Sequence, residues 1–332
     1  MAMLLLLCFF TVFTLTNCFT FQHAFSSISN KEHTLKLKHI YHHASANGPI
    51  PKLFRKYDIN PSVNVMSNQD NSYSLRSKLQ VIERPTASDI NEFLTSDNRW
   101  RNTVRSMYLE SSIGLVPDIE QRESILALAQ MTNNAYLDIN LNETDWYDLG
   151  PQWQVNDSFG WDSDGIRGHD NALFSCCCAR ISRAWTPVCD CYKNNDYICE
   201  NSCLEKKISE SELYYDNALE LYKHIYNTYK GSTIWITGHS LGGALASLVG
   251  QTFGVPTVTF EIPGDRLAST RLHLPHAPGG RSPVWHFGHT ADPIFVGVCT
   301  GPASSCWYGG YAMESRCHTG KVNKNKCVTK RD

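Results

Sequence analysis

Gly238-His239-Ser240-Leu241-Gly242 is a G-x-S-x-G sequence, and its central serine is the side chain with the most chemistry in its surroundings. A serine hydroxyl becomes a useful nucleophile only when a base takes its proton and N–H donors hold the charge that develops on the attacked oxygen. Both demands favour a sharp turn that exposes the hydroxyl at the start of a helix, and glycines on either side of the serine permit it. The flanks fit. Thr233-Ile234-Trp235-Ile236-Thr237 reads as a buried strand, and Leu245, Ala246, Leu248, Val249 and Phe253 continue as a helix that Gly254 can close in a left-handed cap. Ser240 is therefore the candidate nucleophile and the Leu241 amide a candidate oxyanion donor. A glycine-rich turn with an incidental serine is the competing reading, and two correct flanks weigh against it.

The next strands supply a second group. Residues 255–260 and 284–289 read as strands, so strand–helix–strand units imply a doubly wound α/β sheet. Asp292, in His289-Thr290-Ala291-Asp292-Pro293, stands at the carboxyl end of the later strand, where open α/β sheets gather their sites. An acid there orients a catalytic histidine, and chain order in such folds is Ser, then Asp, then His. An Asp-Pro pair by itself is more often only a turn. Its place two strands beyond Ser240 makes it the candidate acid.

Around these groups the periodicity predicts the scaffold. Ser209-Glu210-Ser211-Glu212 has the form of a capping box, and Tyr214, Ala218, Leu221, Tyr222, Ile225 and Tyr229 follow at helical spacing, their rings read as core packing. Pro117 and Asp118 are expected to open another helix, running through Ile125, Leu126, Leu128 and Ala129 towards Asn133. Leu35 to Ile40 alternates like a short strand. No cysteine or carboxylate pattern joins His33, His39, His42 and His43, so they read as a solvated strand end and not as a metal site. From Asp58 to Arg105 the chain is polar and weakly patterned, and is expected to be a variable extension outside the core.

Composition sets the class and the compartment. With 42% hydrophobic and 19% charged residues, the 332-residue chain has the apolar material for a sizeable core. Thirty basic against 32 acidic side chains leave a net charge of −2, so no basic field exists to hold nucleic acid and none is expected as a partner. No charged side chain occurs from Met1 to Asn30, and Leu4 to Phe13 is strongly apolar. That is a targeting segment, either cleaved near Thr16-Asn17-Cys18 or kept as an anchor. Lys31, Lys36 and Lys38 by themselves favour a cytosolic body. Against them stand sequons at Asn142 and Asn156 and thirteen cysteines, seven of them between Cys176 and Cys203. Together these place the body in the secretory lumen. A zinc site on Cys189, Cys191, Cys199 and Cys203 lacks the regular C-x₂-C knuckle, so disulfides are expected there, with no metal and no cofactor. The eleven cysteines beyond the leader are odd in number, which leaves at least one without a partner inside the chain.

Several longer words carry a resemblance. Tyr108-Leu109-Glu110-Ser111-Ser112, Cys176-Cys177-Cys178-Ala179-Arg180, Trp185-Thr186-Pro187-Val188-Cys189, the run from Thr237 to Phe260 and the run from Trp285 to Phe295 resemble the fungal vacuolar autophagic-body lipase family, a branch of the class 3 lipases. The likeness runs from Met107 to Gly320 nearly continuously, and Leu37 to His43 fits the family's amino-terminal pattern. It implies an α/β-hydrolase fold with a signal-anchor at 1–22, a variable lumenal region at 23–105 and a lipase domain at 106–332 with a Cys-rich insert at 176–203. It further implies a single-pass, membrane-anchored glycoprotein, lumenal in endosomes, multivesicular bodies and the vacuole. There it would hydrolyse triacylglycerol and membrane phospholipid of autophagic bodies and multivesicular-body vesicles.

Two departures from the family pattern shape the expectation. The strand and Gly-Thr loop that supply the family's other oxyanion donor are missing, since Gly168-His169 joins Asp170-Asn171-Ala172-Leu173-Phe174 directly. The family's catalytic histidine lies well past Cys317-His318-Thr319-Gly320, whereas this chain reaches Asp332 with His318 as its one histidine after Asp292. The family uses the position of His318 differently, so His318 is a poor candidate base. The expected lineage is a serine ester hydrolase, and the exact chain is expected to turn over lipid esters very slowly. Two alternatives stay open: a catalytically impaired, non-enzymatic anchored glycoprotein, and a secreted esterase on the same fold, which the membrane-type leader disfavours.

Overall fold

The computed structural model describes residues 2–6, 11–15, 31–43, 54–58, 72–95, 107–134, 154–159, 169–174, 189–193, 196–210, 213–278, 280–298, 313 and 315–325. In chain order the elements are β1 (Ala2–Leu6), β2 (Thr11–Leu15), β3 (Lys31–His43), β4 (Phe54–Asp58), β5 (Ser72–Pro85), α1 (Ala87–Thr95), β6 (Leu109–Pro117), α2 (Arg122–Asn134), β7 (Gln154–Phe159) and α3 (His169–Phe174). Then follow β8 (Tyr192–Lys193), β9 (Asp196–Cys199), α4 (Asn201–Glu210), α5 (Tyr214–Thr228), β10 (Thr233–His239), α6 (Ser240–Phe253), β11 (Thr257–Phe260), α7 (Arg266–Arg271), β12 (Val284–His289) and β13 (Lys321–Asn325). Eleven strands make one sheet in the order β13-β12-β11-β10-β1-β2-β3-β4-β7, with β5 branching from β3 and pairing with β6.

The expected parallel sheet is present in β1 and β10 to β13, while β2 to β7 add an antiparallel half. β10 is the hinge between two cores. Its alternation sends Ile234 and Ile236 to one face, against α5 and α6, and Trp235 to the other, against β5, β6 and α2. A strand covered on both faces reads as an unbroken apolar run, which is why this one was legible. The indole N–H of Trp235 is satisfied by the Leu115 carbonyl at 2.8 Å, so the large ring is buried without an orphaned donor.

Several expectations are corrected. The apolar leader, read as a signal-anchor, pairs in the sheet: β1 runs parallel to β10 with Leu6 opposite Thr237, and β2 turns back against it. It occupies the position beside β10, opposite β11. An open position there would leave a row of unpaired backbone groups inside the sheet, and an uncharged apolar segment can fill it at little desolvation cost. Among the described residues no helix is long and apolar enough to cross a membrane.

Residues 72–95, assigned to a variable extension, belong to the core, since Leu75, Ile82 and Phe93 are buried in β5 and α1. Their signal was hidden by polar neighbours, because β5 pairs β3 over Ser72–Ser77 and β6 over Ser77–Pro85, and its buried positions change parity between Leu75 and Ile82. The segment before Pro117 is strand β6, and the helix starts at Arg122, four residues later than expected. Asp118 does not begin that helix; it is buried, accepts from the Glu120 amide at 3.3 Å and pairs with Lys78 at 3.2 Å. Ser209 and Glu210 end α4, and α5 opens at Tyr214, where the Asp216 carboxylate accepts from the Leu213 amide at 2.9 Å. His33 is buried, with Nε2 2.6 Å from the Ser77 hydroxyl, and is no solvated strand end.

The Cys-rich segment is cross-linked as expected, with a Cys191–Cys203 disulfide and Cys189 and Cys199 also in disulfides. Cys317 is a free thiol.

The carboxyl-terminal motif is held by one buried acid. Asp265 is fully buried and accepts from the Ser247 hydroxyl (2.5 Å), the Thr319 amide (2.7 Å) and the Thr319 hydroxyl (2.6 Å), tying α6 to the strap that leads into β13. Gly264 allows the approach, since a Cβ there would run into the Ser315 carbonyl. Burial holds the neighbouring His286 imidazole down to about 4, so it is neutral and bonds Thr259 at 2.7 Å. Asp265→Ala leaves several buried donors without an acceptor, each costing about 1–3 kcal/mol. The urea midpoint is expected to fall by the equivalent of roughly 3 kcal/mol or more, with unchanged slope.

Candidate active site

The site forms where β10 turns into α6. Ser240 occupies the left-handed region at φ 52°, which costs a non-glycine residue on the order of 1–2 kcal/mol and is sustained by its surroundings. The surroundings are two backbones in near contact. A Cβ on Gly238 would lie 2.7 Å from the Gly242 carbonyl oxygen and 2.8 Å from the Gly243 Cα, and one on Gly243 would meet Ile262 at 2.5 Å and the Gly238 carbonyl at 2.8 Å. The close passage thus uses Gly238 and Gly243, one residue beyond the motif's second glycine. At the far end of α6, Gly254 closes the helix at φ 60° with its N–H on the Gly250 carbonyl, as expected.

Leu241 sits in the first turn of α6, where amides have no intrahelical acceptor, and its side chain is among the exposed large apolar groups. Among the described residues the Ser240 hydroxyl makes no hydrogen bond.

The parallel register brings the next two strand ends alongside. His239 pairs with Phe260, and Phe260 with Phe287, so Glu261 and the turn after His289 flank the serine turn. Asp292 lies in that turn. Its Oδ1 accepts from the Ile294 amide (2.7 Å) and the Phe295 amide (3.3 Å), so it caps its own turn and also faces the site. Glu261 was not picked out from the sequence, although the strand-end argument that selected Asp292 applies equally to an acid following Phe260. Its φ is 48°, and its carboxyl takes the His289 amide between both oxygens at 2.8 and 3.0 Å. Burial pushes Glu261 up to about 7; the His289 amide opposes the rise and the nearby Asp292 adds to it. Burial also lowers the pKa of His239, against the pull of Asp292.

His318 is placed elsewhere. Its Nε2 is 2.9 Å from the Phe295 carbonyl and its ring stacks on Phe295 at 4.5 Å, which makes it part of the packing beneath the Asp292 turn. Asn142 lies outside the described residues. Asn156 is on β7, an edge of the sheet, at the bulge opposite Lys56 and Tyr57.

A serine at a strained strand–turn–helix apex, with acids at the ends of the next two parallel strands, defines an α/β-hydrolase. The family described as Lipase (class 3) matches residues 181–255. Curated relatives carry the name "Putative lipase ATG15". The one from Meyerozyma guilliermondii is 35% identical across 88% of this chain and 69% of its own length. That from Saccharomyces cerevisiae strain S288c is 44% identical across 65% of this chain and 49% of its own, and that from Vanderwaltozyma polyspora 45% across 62% and 44%. The chain belongs to the family of these relatives, the fungal ATG15 branch of the class 3 lipases. It spans 44% of the length of the Vanderwaltozyma polyspora relative and 64% of that from Yarrowia lipolytica. The Meyerozyma alignment runs over 393 positions, more than the 332 residues of this chain, so that relative holds internal segments with no counterpart here.

The strain at residue 240 is measurable. Ser240→Gly is expected to be more stable than Ser240→Ala by about 1 kcal/mol, because both remove the hydroxyl and only glycine relieves the left-handed backbone. Thermal unfolding of the two variants checks the order.

Proposed function

We propose that this protein is a serine-dependent hydrolase of ester lipids, acting on triacylglycerol and on phospholipid of vesicle membranes. The observation that carries it is Ser240 held at φ 52° on the β10–α6 turn beside two strand-end acids. Ser240 Oγ attacks the ester carbonyl carbon and gives its proton to a base. The carbonyl oxygen becomes an oxyanion facing the Leu241 N–H, and the alcohol leaves with that proton. Water then hydrolyses the acyl-enzyme. Asp292 orients the base's imidazole. The family resemblance sets the base beyond 317–320, and His318, engaged with Phe295, is not assigned to it.

The same engagement favours a second reading, a chain with a reactive serine and little turnover. In either case Ser240→Ala should abolish labelling by a fluorophosphonate probe; persistent labelling would place the nucleophile elsewhere. Labelling without hydrolysis of triolein or phosphatidylserine vesicles selects the second reading.

We further propose that the body is lumenal, in endosomes, multivesicular bodies and the vacuole, and glycosylated at Asn142 and Asn156. The disulfides at Cys189, Cys191, Cys199 and Cys203 support an oxidising compartment. Glycosidase treatment is expected to shift the mobility of the expressed protein, and Asn142→Gln with Asn156→Gln to remove that shift.

A further inference from the structure

His318 is held more firmly than a core residue needs to be. The Cys317 carbonyl accepts from the Arg266 amide at 3.1 Å and the Thr319 amide donates to Asp265 at 2.7 Å, so the strap is pinned on either side of residue 318 to the segment between β11 and α7. Gly320, at φ 58°, lets the strap pass the start of β12, where a Cβ would strike the Val284 carbonyl. Between these ties the imidazole is buried and reaches Phe295.

Phe295 is the inner end of the Asp292 turn. It is fully buried, its ring presses on β12 at Gly288, where a Cβ would overlap ring atoms, and it stacks with the His318 ring at 4.5 Å. Its amide donates to Asp292 Oδ1 at 3.3 Å, beside the Ile294 amide at 2.7 Å. Its carbonyl lies 2.9 Å from His318 Nε2, and because a carbonyl can only accept, Nε2 carries the proton. One residue therefore meets His318 through its carbonyl and ring and Asp292 through its amide. Two amides by themselves make only a local cap, and a short turn held by such bonds alone opens readily.

We propose that His318 is a positioning residue of the site: its Nε2–H holds the Phe295 carbonyl from inside the fold, and so fixes the turn whose Ile294 and Phe295 amides hold the Asp292 carboxylate. The role deepens the proposed function and rests on Asp292 being the acid of the site. It gives the Cys317-His318-Thr319-Gly320 sequence a part in the site that involves no proton transfer. The strap carries a hydrogen-bond donor to the underside of the acid's turn.

The test uses the full chain and two variants. His318→Phe keeps a ring and has no donor, and His318→Gln keeps a donor and has no ring. Amide hydrogen exchange at Ile294 and Phe295 is expected to be about tenfold faster in His318→Phe, the scale of one lost hydrogen bond, and to return towards the wild-type rate in His318→Gln. Leu248, in the middle of α6, is the reference for global opening. Exchange at Ile294 and Phe295 that does not rise in His318→Phe relative to Leu248, or that rises equally in both variants, overturns the proposal. Should His318→Phe not fold, the nitrogen NMR spectrum of the wild-type imidazole decides: a proton on Nε2 that is hydrogen-bonded to the Phe295 carbonyl supports the proposal, and any other state overturns it.

Fluorophosphonate labelling of Ser240 separates this role from the reading on which it rests. Asp292→Asn and His318→Phe are each expected to slow labelling, His318→Phe by about tenfold, as a misplaced catalytic group does. The double variant is expected to be no slower than Asp292→Asn, because His318 acts only through that acid. Losses that multiply overturn the proposal. If Asp292→Asn leaves labelling unchanged, the assignment of Asp292 as the acid fails, and the exchange rates alone then decide whether His318 holds the turn.

Discussion

The distance between two backbones governs this molecule. At Gly238 and Gly243 the last turn of β10 and the first of α6 pass so closely that a Cβ on either would strike a carbonyl or a Cα. That passage forces Ser240 into the left-handed region and sets its hydroxyl at the apex of the turn. It also fixes the helix against Ile262 and so against the sheet. Everything that could work with Ser240 is positioned relative to this contact. Small residues are required for it, and the strain at Ser240 persists because β10 is buried on both faces and cannot relax.

A second constraint ties the carboxyl-terminal strap to that helix. Asp265, fully buried, gathers donors from Ser247 on α6 and from Thr319, and the strap continues into β13 beside β12. An isolated buried carboxylate costs several kcal/mol, and a partially bonded one would be a poor staple. Here three close donors are present, so the acid specifies one arrangement. The histidine beside Thr319 is turned to the Phe295 carbonyl by the same strap. In this way the motif at 317–320 acts as architecture under the Asp292 turn.

Burial and charge give the two strand-end acids different properties although their chemistry is nearly the same. Asp292 accepts two amide donors in a half-buried turn, whereas Glu261 is partly desolvated and has a carboxyl neighbour.

The elbow, the strands on either side of it, α5 and the acid after β12 were legible in the chain because each is local: a strand buried on both faces is an apolar run, a helix has its period, and a turn needs its glycines. Glu261 was equally local and was passed over only because no motif names it. What tertiary structure decided lies in partners remote in sequence. The polar stretch at 72–95 became core because β5 passes from pairing with β3 to pairing with β6, and its buried positions change parity along the way. The uncharged amino terminus is apolar enough for a membrane or for a sheet, and only the pairing with β10 places it in the sheet. The roles of Asp265 and His318 depend on groups 54 and 23 residues away, so no local spacing could assign them. Periodicity and turn chemistry are properties of neighbours along the chain, whereas the pairing of a buried polar group is settled only when distant segments meet.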